Sequence, residues 1–320
     1  MRRLIILICA LLCVSLVARA EQREVEIPTS WGKLSATLAQ PAEGSDTAVL
    51  IVAGSGPTDR NGNSQMSLTT YCYKMLSDAL VERGIAVLRY DKRGVGLSHA
   101  PQEAIASVVI GDFVDDAQVC VDYLHGAGYR KIVVVGHSEG GDIAMQLALR
   151  EGVKLDGLVL LCAAGYSMDT ILMRQLSAQL VPTHLGLMAT ATKIIQRLKR
   201  GEDVAAEEVP KELVSLFHPS VQPFVRSCMA IDPQRMAAQI ELPMLILTGG
   251  RDIQVTPDNG ESLMRVAKRG RWVNFENMSH VLKDATTSDR IEQLVSVYTN
   301  SQLPLSEGLV AEILTFINQL

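Results

Sequence analysis

Lys131-Ile132-Val133-Val134-Val135 is a run of β-branched, almost wholly apolar positions with no polar alternation. That pattern predicts a strand covered on both faces of a sheet. Further apolar runs at 47–53, 85–90, 157–162, 244–248 and 271–275 predict more strands. Between them the period changes. Phe113, Ala117, Cys120, Val121 and Leu124 fall on one helical face, and Ile143, Ala144, Leu147 and Ala148 repeat at helical spacing. Helices are also expected over 68–82, 258–267 and 307–320. At the start, extended segments near 23–27 and 34–38 meet at Ser30-Trp31-Gly32-Lys33 and read as an antiparallel hairpin at a sheet edge. The alternation of strand and helix predicts a mostly parallel α/β sheet with crossover helices, opened by that hairpin.

The rhythm breaks at 163–240, which holds helical segments (168–180, 190–200, 211–217 and 221–229) but no convincing strand. The stretch is too long for a crossover and reads as a helical lid inserted into a core formed by 21–162 and 241–320. Its methionines Met168, Met173, Met188, Met229 and Met236 suit an adaptable wall over an apolar substrate, or simple packing on the core. Residues 1–20 read as a secretory signal peptide: basic Arg2 and Arg3, an uncharged apolar run over 4–17, then Ala18-Arg19-Ala20 as a small-x-small cleavage site. Cleavage would leave Glu21 first in an exported protein, periplasmic or extracellular, with no stable membrane anchor.

Charge refines this picture only slightly. The 320-residue chain is 48% hydrophobic with a net charge of −5, and loss of Arg2, Arg3 and Arg19 would make it −8. Such an acidic balance argues against nucleic acid as a partner. Cys72, Cys120, Cys162 and Cys228 lie far apart with no C-x-x-C pair, which argues against a zinc site. Cys120 and Cys162 sit in apolar patterns suited to core packing. Export permits disulfides, and the sequence leaves their pairing, like the oligomeric state, open.

The chemistry centres on Gly136-His137-Ser138-Glu139-Gly140-Gly141, between the strand 131–135 and the following helix. A sharp strand-to-helix turn strains its central residue, and glycines at 136 and 140 remove side chains that would collide there. Ser138 is then presented at the strand tip, with unpaired helix N–H groups behind it for a developing oxyanion. A serine hydroxyl needs a base, and the base needs an orienting acid. Of six histidines, His280 alone follows a late core strand and a short polar loop. His137 packs beneath the turn, His99, His184 and His218 lie in loop or lid where they could touch substrate, and His125 ends a helix. Asp252 follows the strand 244–248, with Asp258 and Asp284 as alternatives. The order Ser138, Asp252, His280 is the one expected on this kind of sheet. Two loops at strand ends read as structural. In Asp91–Ser98 the Asp91 carboxylate is expected to pair with Arg93. In Gly54–Asn63, Asp59 and Arg60 are expected to shape the turn.

With these motifs the chain resembles the α/β-hydrolase superfamily over about 47–320. The resemblance rests on Gly136–Gly140, Gly250-Arg251-Asp252, Met278-Ser279-His280 and the Asp91–Ser98 turn. The Gly54–Asn63 loop is similar to that of exported bacterial carboxylesterases which also resemble prolyl aminopeptidases. The resemblance implies the α/β-hydrolase fold and a catalytic triad of Ser138, Asp252 and His280. It implies an oxyanion hole from the backbone N–H groups of Ser55 and Glu139. It implies hydrolysis of small to medium acyl esters through an acyl-enzyme, with no cofactor and no metal. Ala53 departs from the family, where a histidine often precedes the loop's first glycine. The Glu139 side chain is expected to point away from the oxyanion and, with Asp142, to complement the helix N-terminus. An aminopeptidase would need a carboxylate for the substrate's amino group, with Glu202, Asp203, Glu207 and Glu208 as candidates on what reads as a solvated run. A non-catalytic binding protein on the same fold is the remaining alternative.

Overall fold

A computed structural model describes residues 20–64, 68–181 and 184–320. The signal-peptide assignment falls on residues that, apart from Ala20, lie outside the described ones. Eight strands form one sheet: β1 (Glu21–Thr29), β2 (Gly32–Gln40), β3 (Thr47–Val52), β4 (Ala86–Tyr90), β5 (Lys131–His137), β6 (Gly157–Leu161), β7 (Met244–Gly249) and β8 (Gly270–Phe275). Their spatial order is β1-β2-β4-β3-β5-β6-β7-β8. The β1–β2 hairpin and the β2–β4 pair are antiparallel, and every other neighbour is parallel. This is the α/β-hydrolase fold.

Side-chain alternation along the strands divides the core into two layers. Ala48, Leu50, Val52, Ile132, Val134, Leu158, Leu160 and Ile246 face one way, against Phe113, Ala117 and Val121 of α2 (Ile110–Gly126) and Ile143 and Leu147 of α3 (Glu139–Ala148). Val49, Ile51, Val133, Val135, Val159, Leu161, Leu245 and Leu247 face the other way, against Leu76 and Leu80 of α1 (Cys72–Val81) and Ile313 and Phe316 of the C-terminal helix Leu309–Asn318. With both faces covered, the strands need no polar side, which is why the sequence shows runs rather than alternation. The four cysteines at 72, 120, 162 and 228 are free and buried.

Three local expectations change. The helix expected from residue 68 begins at Cys72, because Leu68–Thr69 pairs instead with Asn63–Ser64. The Thr70 hydroxyl donates to the Gly62 carbonyl, and Tyr71 donates its N–H to the Asn63 side chain, so the segment is tied to the preceding loop. Between β6 and β7 the helices Met168–Leu180, Leu185–Lys199 and Gln222–Met229 gather Leu176, Ala191, Ile194, Leu198 and Phe217 into a cluster of their own. The helix Pro233–Gln239 was not anticipated, and its Ala237 joins the main core. Its signal was present: the Asp232 carboxylate accepts from the Arg235 N–H at 3.0 Å, with Pro233 at the first helical position.

The third change concerns Asp91, which pairs with Arg60 at 2.8 Å rather than with Arg93. Arg93 turns to Asp116 at 2.7 Å and Asp112 at 3.2 Å and stacks over Trp31. Asp91 also accepts from the N–H groups of Arg60 and Leu97, and Gly96 is packed so tightly on it that a Cβ would lie 2.3 Å from its carboxylate. The Asp91 and Gly54 loops are therefore joined by one buried ion pair. Removing one partner leaves the other charge buried, so Asp91→Ala should lower the unfolding free energy by about 3–5 kcal/mol in urea titration. A loss under ~1 kcal/mol would show that the pair holds nothing together.

Candidate active site

β5 lies between β3 and β6 at the middle of the parallel strands, and its end delivers the turn. Ser138 adopts φ 54° and ψ −123°, a strained conformation for a residue with a side chain. The surrounding backbone holds it there. A Cβ at Gly136 would lie 2.3 Å from the Gly140 carbonyl oxygen, and one at Gly140 would lie 2.3 Å from that of Val52. Ser138 donates its N–H to Leu161 of β6 at 2.9 Å and accepts from Gly141 at 2.9 Å. Its side chain then meets a cavity of about 550 Å³ shared with Gly54, Ser55, Glu139 and His280.

His280 follows β8 on a loop stitched to the one after β7. Gly250 donates to Phe275 at 2.8 Å, Arg251 to Met278 at 3.0 Å, and Ser279 is fastened to the Lys283 carbonyl by both its N–H and its hydroxyl. His280 Nδ1 donates to Asp252 Oδ2 at 2.7 Å. The other Asp252 oxygen accepts from the N–H groups of Gln254 and Val255 at 2.7 and 2.8 Å, so the carboxylate cannot swing away. A carboxylate accepts, so Nδ1 carries the proton and Nε2 is left as the basic nitrogen. The alternative acids are engaged elsewhere: Asp258 with Arg174 and Thr256, Asp284 with Ser306. His99, His184 and His218 are exposed and none lines the cavity, and His125 binds the Lys154 carbonyl.

His137 does lie beneath the turn, and its contacts explain why. Nε2 donates to the His280 carbonyl at 2.8 Å, so Nδ1 must accept from the Tyr73 hydroxyl at 2.7 Å. The Tyr73 oxygen in turn accepts from the Gly54 N–H at 3.1 Å. One chain of hydrogen bonds thus ties the Gly54 loop to the His280 loop through the base of the nucleophile turn. Burial, with His280 beside it, pushes the His137 imidazole down to about 3, so the ring is neutral at ordinary pH. Sequence reasoning missed Tyr73, which sits within a helix and carries no motif.

The two N–H groups assigned to an oxyanion hole, those of Ser55 and Glu139, have no hydrogen-bond partner among the described residues. Glu139 is buried, where an unpaired N–H is rare, whereas Ser55 is exposed, and both residues border the cavity beside Ser138. The Glu139 side chain engages the Gly54 loop. Its Oε2 accepts from the Ser55 hydroxyl at 2.9 Å, which hooks the Gly54 loop to the start of α3. Burial, then the Glu139 charge, raise the Asp142 carboxyl well above the usual range, so it complements the helix terminus less than the sequence suggests. Asp59 accepts from the N–H groups of Asn61 and Asn63, and Arg60 from below braces Ser35, Thr37 and Glu24, both structural roles.

Among the described residues, His137, Cys162 and His280 bring ligand atoms within 4.8 Å of one another. Both ring nitrogens of His137 are already hydrogen-bonded, so a metal there would have to displace Tyr73 or the His280 carbonyl. The helical segments between β6 and β7 give the cavity a mostly apolar wall of Met168, Ile171, Leu172, Leu216, Phe224 and Val225, with Gln175 and Ser215 among them.

A family model described as serine aminopeptidase, S33, matches residues 66–283, more than half of the chain. The chain belongs to this family. Esterase EstD of Thermotoga maritima is 25% identical over 266 residues, covering 82% of this chain and 60% of that protein. The putative carbamate hydrolase RutD of Variovorax paradoxus is 33% identical over 123 residues, 38% of this chain and 40% of that protein. The chain thus spans three-fifths or less of the length of these curated relatives. Among solved structures, the Pyrococcus furiosus esterase Pf2001 superposes with a TM-score of 0.57 at 18% identity, covering 94% of this chain and 91% of that one. The esterase EaEST of Exiguobacterium antarcticum gives 0.56 at 18% identity, covering 92% and 100%. At that identity the likeness speaks for the S33 chain's fold.

Because His137 is neutral in the folded protein and protonates near pH 6.5 when unfolded, the unfolded state binds more protons between pH 6.5 and 3. Stability is therefore expected to fall as pH drops through that window, with up to about 1.4 kcal/mol lost per pH unit from this residue. A His137→Gln variant should be less stable at pH 7 and show a shallower acid slope in pH-dependent urea unfolding. An unchanged slope would mean that His137 titrates in the folded state. Tyr73→Phe, which strips partners from Gly54 and His137, should cost ~1–3 kcal/mol in the same measurement.

Proposed function

We propose that this protein is a serine hydrolase of carboxylic esters, with Ser138 as nucleophile, His280 as base and Asp252 as its orienting acid. The observation that carries the reading is the convergence on one cavity of the strained Ser138, the Asp252-bound His280 and two unpartnered N–H groups. In this scheme His280 Nε2 takes the Ser138 proton as the oxygen attacks the acyl carbonyl. The N–H groups of Ser55 and Glu139 stabilise the oxyanion. His280 returns the proton to the leaving alcohol, and water then releases the acid by the same route. Asp252 holds the tautomer and stabilises the imidazolium that forms. These protein groups complete the reaction without a metal or cofactor.

An ester is favoured over a peptide because, among the described residues, no carboxylate of the insertion lines the cavity where it could bind an α-ammonium. Glu202 pairs with Arg200, Asp203 with Arg226 and Glu208 with Arg197, all at the surface, and Glu207 is exposed beside them. The helical insertion acts as a lid whose apolar wall sets acyl preference. A cavity of about 550 Å³ suits small to medium acyl groups. Residues 1–20 direct export, and since β1 starts at Glu21, cleavage after Ala20 leaves the fold intact. N-terminal sequencing of secreted protein should begin at Glu21.

Purified protein should hydrolyse nitrophenyl esters with a preference for short to medium chains and turn over aminoacyl anilides far more slowly. Ser138→Ala should lose at least about 10⁴-fold in kcat and all fluorophosphonate labelling. Asp252→Asn should lose ~10³–10⁴-fold. Faster turnover of the anilide than of any ester would replace this reading with the aminopeptidase one. Wild type that neither turns over an ester nor takes the label would leave a binding protein.

A further inference from the structure

Lys92 is a buried cation that the proposed reaction does not use. It lies just past β4, is 2% exposed, and makes no ion pair within salt-bridge distance among the described residues. Its Nζ donates to the carbonyl oxygen of Gly54 and sits 5.4 Å from the centroid of the Phe113 ring. Burial works against its charge, and the nearby Glu139 carboxylate supports it. Burying an ammonium on a single carbonyl is costly, and an apolar side chain of the same length would fill the space without that penalty.

The Gly54–Ser55 peptide is held at both ends. Lys92 grips its carbonyl, and Glu139 accepts from the hydroxyl of Ser55. In a trans peptide the C=O and N–H point in opposite directions. Gly54, Ser55 and Ser138 line the cavity, whereas Lys92 does not, so Lys92 pulls from behind the loop. The Ser55 N–H is thereby turned toward the cavity. Gly54 is packed on the nucleophile, since a Cβ there would lie 3.1 Å from that of Ser138. A positive charge on the carbonyl oxygen also polarises the amide and makes its N–H a stronger donor.

We propose that Lys92 is a positioning residue that fixes and polarises the Gly54–Ser55 peptide, so that the Ser55 N–H is preset for the oxyanion. The proposal rests on the serine hydrolase reading above. Its effect falls on the transition state, where the charge develops, and hardly on the planar substrate.

The test compares wild type with Lys92→Met and with Lys92→Gln, which keeps a neutral donor. Lys92→Met should lower kcat by about 10–100-fold, less than outright loss of an oxyanion donor, with KM changed under ~3-fold. Affinity for a trifluoromethyl ketone, which forms a tetrahedral oxyanion adduct, should fall in parallel with kcat/KM, while affinity for the product acid should hold. Lys92→Gln should recover part of both losses, and it carries the test if Lys92→Met does not fold. Unchanged kcat and ketone affinity in the folded variant would overturn the proposal, as would equal losses for the ketone and the acid. Phosphonylation rates at Ser138 keep the two readings apart. Equal rates in wild type and variant overturn the role of Lys92 alone. A wild type that is never labelled overturns the hydrolase reading and this proposal with it.

Discussion

The left-handed backbone of Ser138 is the constraint on which the rest of the site depends. It places the side chain off the end of β5, and it survives only because nothing larger than hydrogen occupies positions 136 and 140. The close approach of Gly140 to the Val52 carbonyl also brings the start of α3 against the end of β3. That same approach sets the Glu139 N–H beside the Gly54 loop. Local strain of ~1–3 kcal/mol thus fixes two parts of the proposed machinery at once: the candidate nucleophile Ser138 and the Glu139 N–H proposed as an oxyanion donor.

The remaining parts belong to loops distant in sequence, and buried polar contacts hold them in register. Tyr73 and His137 connect the Gly54 N–H to the His280 carbonyl. Arg60 and Asp91 connect the Gly54 and Asp91 loops, and Lys92 closes the same junction from behind. Each of these groups would be costly to bury alone. Together they make a connected network in which displacing one loop leaves several partners unsatisfied, which favours a single arrangement of the cavity rim. The neutral state of His137 fits this network, because a second charged imidazole 4.8 Å from the His280 ring would oppose protonation of His280, the proposed base.

The helical insertion follows a different logic. Its own cluster of apolar side chains allows it to pack as a unit, while one face closes the cavity over Ser138. Glu202, Asp203 and Glu208 pair at the surface with arginines, and among the described residues no carboxylate of the insertion reaches the cavity, so its wall facing Ser138 stays mostly apolar. Polar contacts thus fix the Ser138 side of the cavity, and mostly apolar side chains shape the side facing it.

The sequence alone determined the sheet, the hairpin and the chain order of the candidate residues Ser138, Asp252 and His280. Apolar runs, helical spacing and glycines flanking a serine are local signals, and each reports a local cost that only certain residues can meet. That Asp252, and not Asp258 or Asp284, meets His280 was also legible from its position after a strand. Only the tertiary structure decided which charges meet. Arg93 lies two residues from Asp91 yet pairs with Asp116, while Arg60, thirty-one residues away, takes its place. The contacts of Tyr73 and Lys92 and the bond between Glu139 and Ser55 were invisible for the same reason. Long-range pairing depends on which loop ends the fold brings together, and no spacing along the chain encodes that.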